Sequence, residues 1–96
     1  MIELRETEAF STWLRGVRDD VSRAIIVRRI ARLSGGNFGD VKPIGEGCSE
    51  LRIDYGPGFR VYLMRRGTEV VVLLGGGDKR SQKRDIERAK ALAREV

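Results

Sequence analysis

The spacing of apolar residues predicts helices in the first third of the chain and strands in its middle. After a short strand, Ile2 to Arg5, apolar residues recur three and four positions apart, which is typical of a helix with one buried face. We expect this helix from Glu8 to about Arg18, with Thr7 as its N-cap. Its apolar stripe consists of Phe10, Trp13, Leu14 and Val17.

A second helix follows, capped by Asp19 or Asp20, and ends at Gly35-Gly36 because glycine favours helix C-termini. The two helices are predicted to form a hairpin with one shared apolar side. The second stripe consists of Ile26, Ile30 and Leu33, widened by Val27 and Ala31.

Alternation of apolar and polar residues then predicts an antiparallel meander of three strands. We expect them at about Ser49 to Tyr55, Phe59 to Arg66 and Glu69 to Gly75, after a glycine-rich segment that leads to a short edge strand. The first two strands have one apolar face, which the helical hairpin should cover. The last is apolar on both sides, which suits a strand in mid-sheet or one covered on both faces. A C-terminal helix, capped by Asp78 or Ser81, should follow.

The same alternation predicts which polar residues share a face of the sheet. For the apolar residues of the first hairpin to face one core, the loop must have an odd length. The loop then pairs Asp54 with Arg60 and Arg52 with Tyr62. All four side chains should line the face away from the helical hairpin.

The second hairpin is predicted to turn through two residues, Gly67 and Thr68. This turn pairs Leu63 with Val72 on the core face and places Arg60 opposite Gly75. The side chain of Arg60 would therefore lie beside a residue that leaves space.

Composition narrows the possible chemistry. The 96 residues, 41% of them hydrophobic, are expected to form one domain spanning residues 1–96. There is no histidine, which removes the usual general base and the commonest transition-metal ligand, so catalysis would rest on Lys, Arg, Tyr or carboxylates. One cysteine, Cys48, excludes an internal disulfide. With a charged N-terminus and no long apolar run, we expect a soluble, cytoplasmic protein without a membrane partner.

Positive charge is concentrated in the second half of the chain. Residues 1 to 50 carry eight basic and eight acidic side chains, whereas residues 51 to 96 carry 11 and six, which is the whole excess of five. Most of the cations are arginines, whose planar guanidinium binds phosphate in a bidentate way. The distribution favours a polyanionic partner.

Three consecutive glycines, Gly75 to Gly77, lead from the last strand into a basic cluster. The phosphate-binding pattern G-x-x-x-x-G-K-[ST] is absent, because Asp78 follows the glycines and Arg80 follows Lys79. The glycines are interpreted either as a flexible connection or as a groove open to a phosphodiester backbone. The predicted position of Arg60 favours the groove.

From Ile2 nearly to its end, the chain resembles the RelE/ParE superfamily of small bacterial toxins, most closely the HigB-like, phage-related addiction module killer proteins. The resemblance is carried by GNFGDVKPIGEGCSELRIDYGPGFRVYL (residues 36–63) and VVVLLGGGDKRSQKRDIERAKALA (residues 70–93). It implies a RelE-like α+β fold: a short N-terminal strand, a helical hairpin packed on a mostly antiparallel meander sheet, and a C-terminal helix.

The resemblance also implies a function. A member of this superfamily would be the toxin of a type II toxin-antitoxin system, neutralised by a cognate helix-turn-helix antitoxin and bound to operator DNA only through the antitoxin complex. The RelE and HigB branches imply a metal-free, cofactor-free endoribonuclease that cleaves mRNA on the ribosome. Two alternatives remain: a ParE-like gyrase inhibitor, and a non-catalytic relative that binds antitoxin or nucleic acid.

Site residues follow from the same resemblance. The basic position of the superfamily's G-[YF]-R strand motif falls on Arg60, which implies stabilisation of the transition-state phosphate. Lys79 and Arg80 would protonate the leaving group or contact phosphate, and Arg52 occupies a strand position that is often basic. Asp54 stands where some members have a lysine base, so it is either the base or a salt-bridge partner of Arg60.

Three further residues are candidates for RNA binding. Lys83 would contact flanking RNA, and Arg84 either lies on a solvated helix face or contacts ribosomal RNA. Tyr62 either stacks on a base or packs in the core. No tyrosine or histidine follows Tyr62, whereas some ribosome-dependent toxins carry a terminal acid of this kind, which keeps the non-catalytic alternative open.

Overall fold

The computed structural model describes residues 1–96 and has five strands and three helices. The strands are β1 (Glu3–Glu6), β2 (Val41–Gly45), β3 (Cys48–Ile53), β4 (Phe59–Arg66) and β5 (Val70–Asp78). The helices are α1 (Glu8–Arg15), α2 (Asp20–Ser34) and α3 (Gln82–Ala93), the last preceded by a 3-10 turn over Lys79–Ser81. The predicted α+β class and order of elements are confirmed. The longest helix, α2, has 15 residues, and no helix has the length and hydropathy that a membrane span requires.

The sheet has the order β1-β5-β4-β3-β2. β1 runs parallel to β5, and every other neighbouring pair is antiparallel. β5 thus lies inside the sheet, as its apolar residues on both sides predict. β2 is the predicted short edge strand.

Side-chain caps start the first two helices as predicted. The Thr7 hydroxyl accepts a hydrogen bond from the Phe10 N–H and donates one to the Leu73 carbonyl, which ties the start of α1 to β5. Asp19 accepts from the Ser22 N–H at the start of α2. α1 ends before Gly16, a turn earlier than the predicted Arg18, because glycine favours the end of a helix over its interior.

Two apolar clusters lie on opposite faces of the sheet. The larger lies under α1 and α2 and contains Phe10, Ile26, Ile30, Leu33, Leu51, Ile53, Phe59, Val61, Leu63, Val71 and Leu73. The smaller lies under α3 and contains Cys48, Tyr62, Val72, Leu74 and Ala89. Part of the face that was predicted to be polar is therefore covered by a helix.

The first hairpin has a different register from the predicted one. Arg52 pairs with Arg60, and Glu50 pairs with Tyr62, so the predicted partners were wrong by two residues. The cause is the turn, residues 54–58, which takes Asp54 out of the strand and uses positive φ angles at two of its glycines. An error of two residues preserves the faces, since side chains alternate with a period of two.

The second hairpin differs twice from its prediction. Arg66 pairs with Val70, so the turn has three residues instead of Gly67 and Thr68 alone. Leu63 pairs with Leu73 rather than Val72, because the longer turn shifts the partner strand by one residue.

An irregularity in β5 then changes which residues of β4 pair with the glycines. Tyr62 pairs with Gly75, although its neighbour Leu63 pairs with Leu73, so Leu74 is an extra residue on β5, as in a β-bulge. Arg60 consequently lies opposite Gly77 and not Gly75. Nothing in the apolar run of β5 marks the bulge, because each of its leucines suits either face.

The three glycines belong to β5, and other side chains of the protein occupy the space beside two of them. A Cβ on Gly76 would overlap the Trp13 ring, and one on Gly77 would overlap the Asp85 carboxylate. Only Gly75 has open space, with nothing within 4 Å of such a Cβ. The glycines allow α1 and α3 to approach the sheet closely, so the interpretation as a flexible connection or a phosphodiester groove is corrected.

Candidate functional site

Four of the predicted catalytic residues surround one pocket at the end of the β3–β4 hairpin. Its volume is about 270 Å³. It is lined by Asp40, Arg52, Asp54, Gly58, Arg60 and Lys79. Residues from two strands, the turn between them, the segment before β2 and the start of the C-terminal region therefore converge on it.

The topology explains this convergence. Arg52 and Arg60 are direct cross-strand partners, so their side chains leave the same face of the sheet side by side. Gly58 adopts a φ of 82°, and a Cβ there would lie 3.5 Å from the Lys79 side chain, so the turn brings Lys79 beside the strands. Like charges directly opposite each other are destabilising, and each arginine is accordingly paired with a carboxylate.

Arg60 is paired with Glu50 and not with Asp54. Its Nε lies 2.7 Å from Glu50 Oε1, and the two side chains are only 9% and 3% exposed. The contact is an ion pair without an aligned hydrogen bond at Nε, whereas Nη1 donates to the Phe59 carbonyl at 3.4 Å. Gln82, the first residue of α3, donates to the same Glu50 oxygen at 2.7 Å.

Arg52 has a different partner, Asp40, which precedes β2. Its Nε and Nη2 donate to the two carboxylate oxygens of Asp40 at 3.2 Å each. Hydrogen bonding to Asp40 and its charge raise the pKa of Arg52 further above its usual range. Unlike the Arg60 pair, this pair is exposed, at 41% and 54% of the side-chain surfaces.

Asp54 forms no ion pair in the structure. The predicted alternative, a salt bridge between Asp54 and Arg60, is therefore wrong: Glu50 occupies that role from the middle of β3. The Asp54 carboxylate lines the pocket together with Lys79.

Tyr62 is fully buried beneath α3 and is unavailable to a ligand. Its predicted stacking on RNA is corrected, and its alternative, packing, is what the structure shows. The phenol oxygen has no hydrogen-bond partner. Burial, together with the charge of the neighbouring Glu50, raises the pKa of Tyr62 well above its usual value.

Arg80, Lys83 and Arg84 do not line this pocket. They lie around a separate depression at the start of α3, with Asp78, Ser81 and Glu87. Arg80 is 87% exposed and pairs with Asp78 at 3.3 Å. Burial raises the pKa of Asp78, but hydrogen bonds from the Arg80 side chain and backbone outweigh burial and hold it below its usual range. The predicted catalytic set is thus divided, since the adjacent residues Lys79 and Arg80 face different depressions.

Sequence reasoning missed three residues of this region: Asp40, Glu50 and Gln82. Glu50 carried a signal, because it alternates with Arg52 and Asp54 on one face of the predicted strand. Asp40 lies 12 residues from Arg52 and Gln82 lies 32 residues from Glu50, so no local pattern in the sequence indicated either contact. No group of three or more histidine, cysteine, aspartate or glutamate side chains could hold a metal ion.

Comparison with known proteins identifies a close relative. No protein-family model matches the sequence. An uncharacterised protein from Haemophilus influenzae is 46% identical over 95 residues, which is 99% of this chain and 96% of that protein. The two proteins belong to one family.

A solved structure shares the fold of this chain. The free-state structure of an arginine-to-alanine double mutant of the E. coli toxin RelE matches with a TM-score of 0.74 and 14% identity. The match covers 99% of this chain and 98% of RelE. At this identity the similarity shows the fold, and the predicted RelE-like fold is confirmed. The assignment to the HigB-like branch stays a prediction.

Proposed function

We propose that the protein is the toxin of a type II toxin-antitoxin system, of the HigB-like kind, and that it cleaves mRNA on the ribosome. The observation that supports this function is the pocket in which Arg52, Arg60 and Lys79 surround the free carboxylate of Asp54. The RelE fold supports the same class of protein. No cofactor or metal is required by this proposal.

The charges around the pocket favour a phosphodiester. Two arginine side chains leave adjacent strands side by side and both line the pocket, so a phosphate bound there would meet two guanidinium groups. Negative charge increases on the phosphate as the reaction proceeds, so the same groups bind the transition state more tightly than the ground state.

Each of the four candidate catalytic residues in the pocket has a role in the proposed reaction. The O2′ of the message attacks the adjacent phosphorus, the P–O5′ bond breaks, and the products are a 2′,3′-cyclic phosphate and a 5′-hydroxyl. The Asp54 carboxylate accepts the proton of the 2′-hydroxyl, and the Lys79 ammonium donates one to O5′. Arg52 and Arg60 neutralise the negative charge on the non-bridging oxygens.

The second depression extends the binding surface. Lys83 and Arg84, with the exposed Arg80, would contact phosphates that flank the cleavage position. Such contacts weaken with increasing salt because they release counterions. Arg80 is therefore assigned to RNA binding, and catalysis to Arg52, Asp54, Arg60 and Lys79.

The proposed partners are the ribosome with its message, and a cognate helix-turn-helix antitoxin through which operator DNA is bound. A cytoplasmic location follows from these partners. An acidic or amphipathic antitoxin segment would complement the net charge of +5.

Induction of the protein without its antitoxin, followed by primer extension on total RNA, tests the proposal. Arg52→Ala and Asp54→Asn should abolish new message ends. The control is Arg5→Ala, which removes an exposed arginine that pairs with Glu3 at the opposite edge of the sheet; this variant should cleave like the unmodified protein. Growth arrest with intact messages and loss of DNA supercoiling would contradict the proposal and indicate gyrase inhibition. If overexpression without the antitoxin is harmless, the proposal is contradicted and a non-catalytic binding role is indicated.

A further inference from the structure

Glu50 and Arg60 are the only charged residues in the buried interior, with 2% and 8% of their surfaces exposed. Taking both charges out of water is expensive, and pairs of this kind are often no more stable than apolar residues of the same size. Stability alone therefore does not explain why a carboxylate and a guanidinium occupy these positions.

The two members of the pair differ in what they face. Arg60 lines the pocket, whereas Glu50 does not. Glu50 is enclosed by Arg60 on one side, by its cross-strand partner Tyr62 on the other, and by Gln82 of α3 above. It cannot touch a ligand in the pocket, but it holds the residue that does.

We propose that Glu50, itself anchored by Gln82, is a positioning residue that keeps the Arg60 guanidinium at the wall of the pocket. This inference rests on the proposed function, in which Arg60 contacts the reacting phosphate. Arg52 stands directly opposite and repels Arg60, and a free arginine side chain has many rotamers. Glu50 removes that freedom before RNA arrives.

The amide of Gln82 gives the first turn of α3 a part in this arrangement. It donates to the Glu50 oxygen that also contacts Arg60 Nε. Packing of α3 on the sheet therefore determines where Arg60 points, although α3 contributes no residue to the pocket itself.

The first test measures the position of Arg60 without any activity. In ¹⁵N-labelled protein, the Nε–H signal of Arg60 should be resolved and slow to exchange with water because the group is buried. Glu50→Gln should broaden or remove this signal, and Gln82→Ala should weaken it. Glu46→Gln, which alters an exposed arginine pair of the same 2.7 Å length, should leave it intact. An unchanged signal in Glu50→Gln would overturn the proposal.

The second test measures cleavage of message on programmed ribosomes. Glu50→Gln should lower kcat by roughly 10- to 100-fold with KM nearly unchanged, since a small displacement of a catalytic group has effects of this size. Gln82→Ala should have a smaller effect in the same direction, and Glu46→Gln none.

A double-mutant cycle separates positioning from a direct chemical role. In an Arg60→Met background, Glu50→Gln should cause no further loss, because there is no guanidinium left to position. If the fold-losses in kcat of the two single variants instead multiply in the double variant, Glu50 acts on the substrate itself, and the proposal is overturned. If the unmodified protein does not cleave, the proposed function fails, and the Arg60 signal alone decides whether Glu50 positions that side chain.

Discussion

Arg52 and Arg60 lie directly opposite each other on adjacent strands, and their surroundings differ. Arg52 reaches a carboxylate at the edge of the sheet and stays exposed, whereas the Arg60 side chain is 9% exposed and pairs with the buried Glu50. The difference follows from their partners: Arg60 pairs with the buried Glu50, which accepts a hydrogen bond from Gln82 of α3, whereas Arg52 pairs with the exposed Asp40. Two identical side chains thus become one fixed and one adjustable phosphate ligand in the proposed site.

Breaking the buried pair should have the largest effect. Arg60→Ala leaves the Glu50 carboxylate buried without its partner, which should lower the free energy of unfolding by about 3–5 kcal/mol. Urea denaturation followed by circular dichroism measures this loss. Replacing both residues, as in Glu50→Leu with Arg60→Met, should restore most of the stability while leaving the proposed activity absent.

The exposed pair is the control for this experiment. Asp40→Asn and Arg52→Ala should leave the denaturation midpoint almost unchanged, because exposed ion pairs are solvated and screened by salt. Equal destabilisation by Arg52→Ala and Arg60→Ala would contradict the distinction between the two sides of the hairpin.

Disturbing the contact between α3 and the sheet should lower the free energy of unfolding by an intermediate amount. A methyl group at Gly77 would overlap Asp85 and Ser81, whose mutual hydrogen bond lies in the turn leading into α3. Gly77→Ala should therefore lower the free energy of unfolding by about 1–3 kcal/mol, as overpacking does.

Gly75→Ala is the matched control for Gly77→Ala, since nothing lies within 4 Å of the added carbon. Its midpoint in urea should stay close to that of the unmodified protein. The Arg60 Nε–H signal should change in Gly77→Ala and persist in Gly75→Ala; the reverse pattern would show that α3 does not control Arg60.

The smallest effect is expected at Tyr62, beside the buried pair. Its hydroxyl is buried without a partner, so Tyr62→Phe removes no hydrogen bond and should be neutral or slightly stabilising at pH 7. Burial raises the pKa of Tyr62 in the folded state, so this residue contributes stability below the unfolded value, roughly pH 10, that is lost as the pH rises further.

Thermal unfolding between neutral and alkaline pH checks the tyrosine prediction. Tyr62→Phe should lose less stability above roughly pH 10 than the unmodified protein. Tyr55→Phe, which alters an exposed tyrosine in the turn after β3, should follow the unmodified protein throughout. A marked loss at pH 7 in Tyr62→Phe would indicate a hydrogen bond that the phenol makes in solution.

Much of the fold was predictable because local rules act within a few residues. The helix caps at Thr7 and Asp19, the apolar stripes and the strand alternation all depend on neighbours in the chain. Even the mistaken register of the first hairpin left Arg52 and Arg60 on one face, since an error of two residues preserves the alternation.

The candidate site was predictable only in part. Lys79 was rightly grouped with the strand arginines, whereas Arg80, the next residue, faces another depression. Periodicity gives no information about a 3-10 turn that points consecutive side chains in different directions. The bulge at Leu74 was equally invisible, because an apolar run is compatible with either face.

The amino-acid sequence by itself determined the elements of this protein, the faces of its strands and the cationic character of its second half. These properties depend on short-range periodicity and composition. Only the tertiary structure decided that Glu50, not Asp54, neutralises Arg60, and that Gln82, 32 residues further along, holds Glu50 in place. Partner choice depends on burial and on distances of a few ångströms, which exist only once α3 has packed on the sheet.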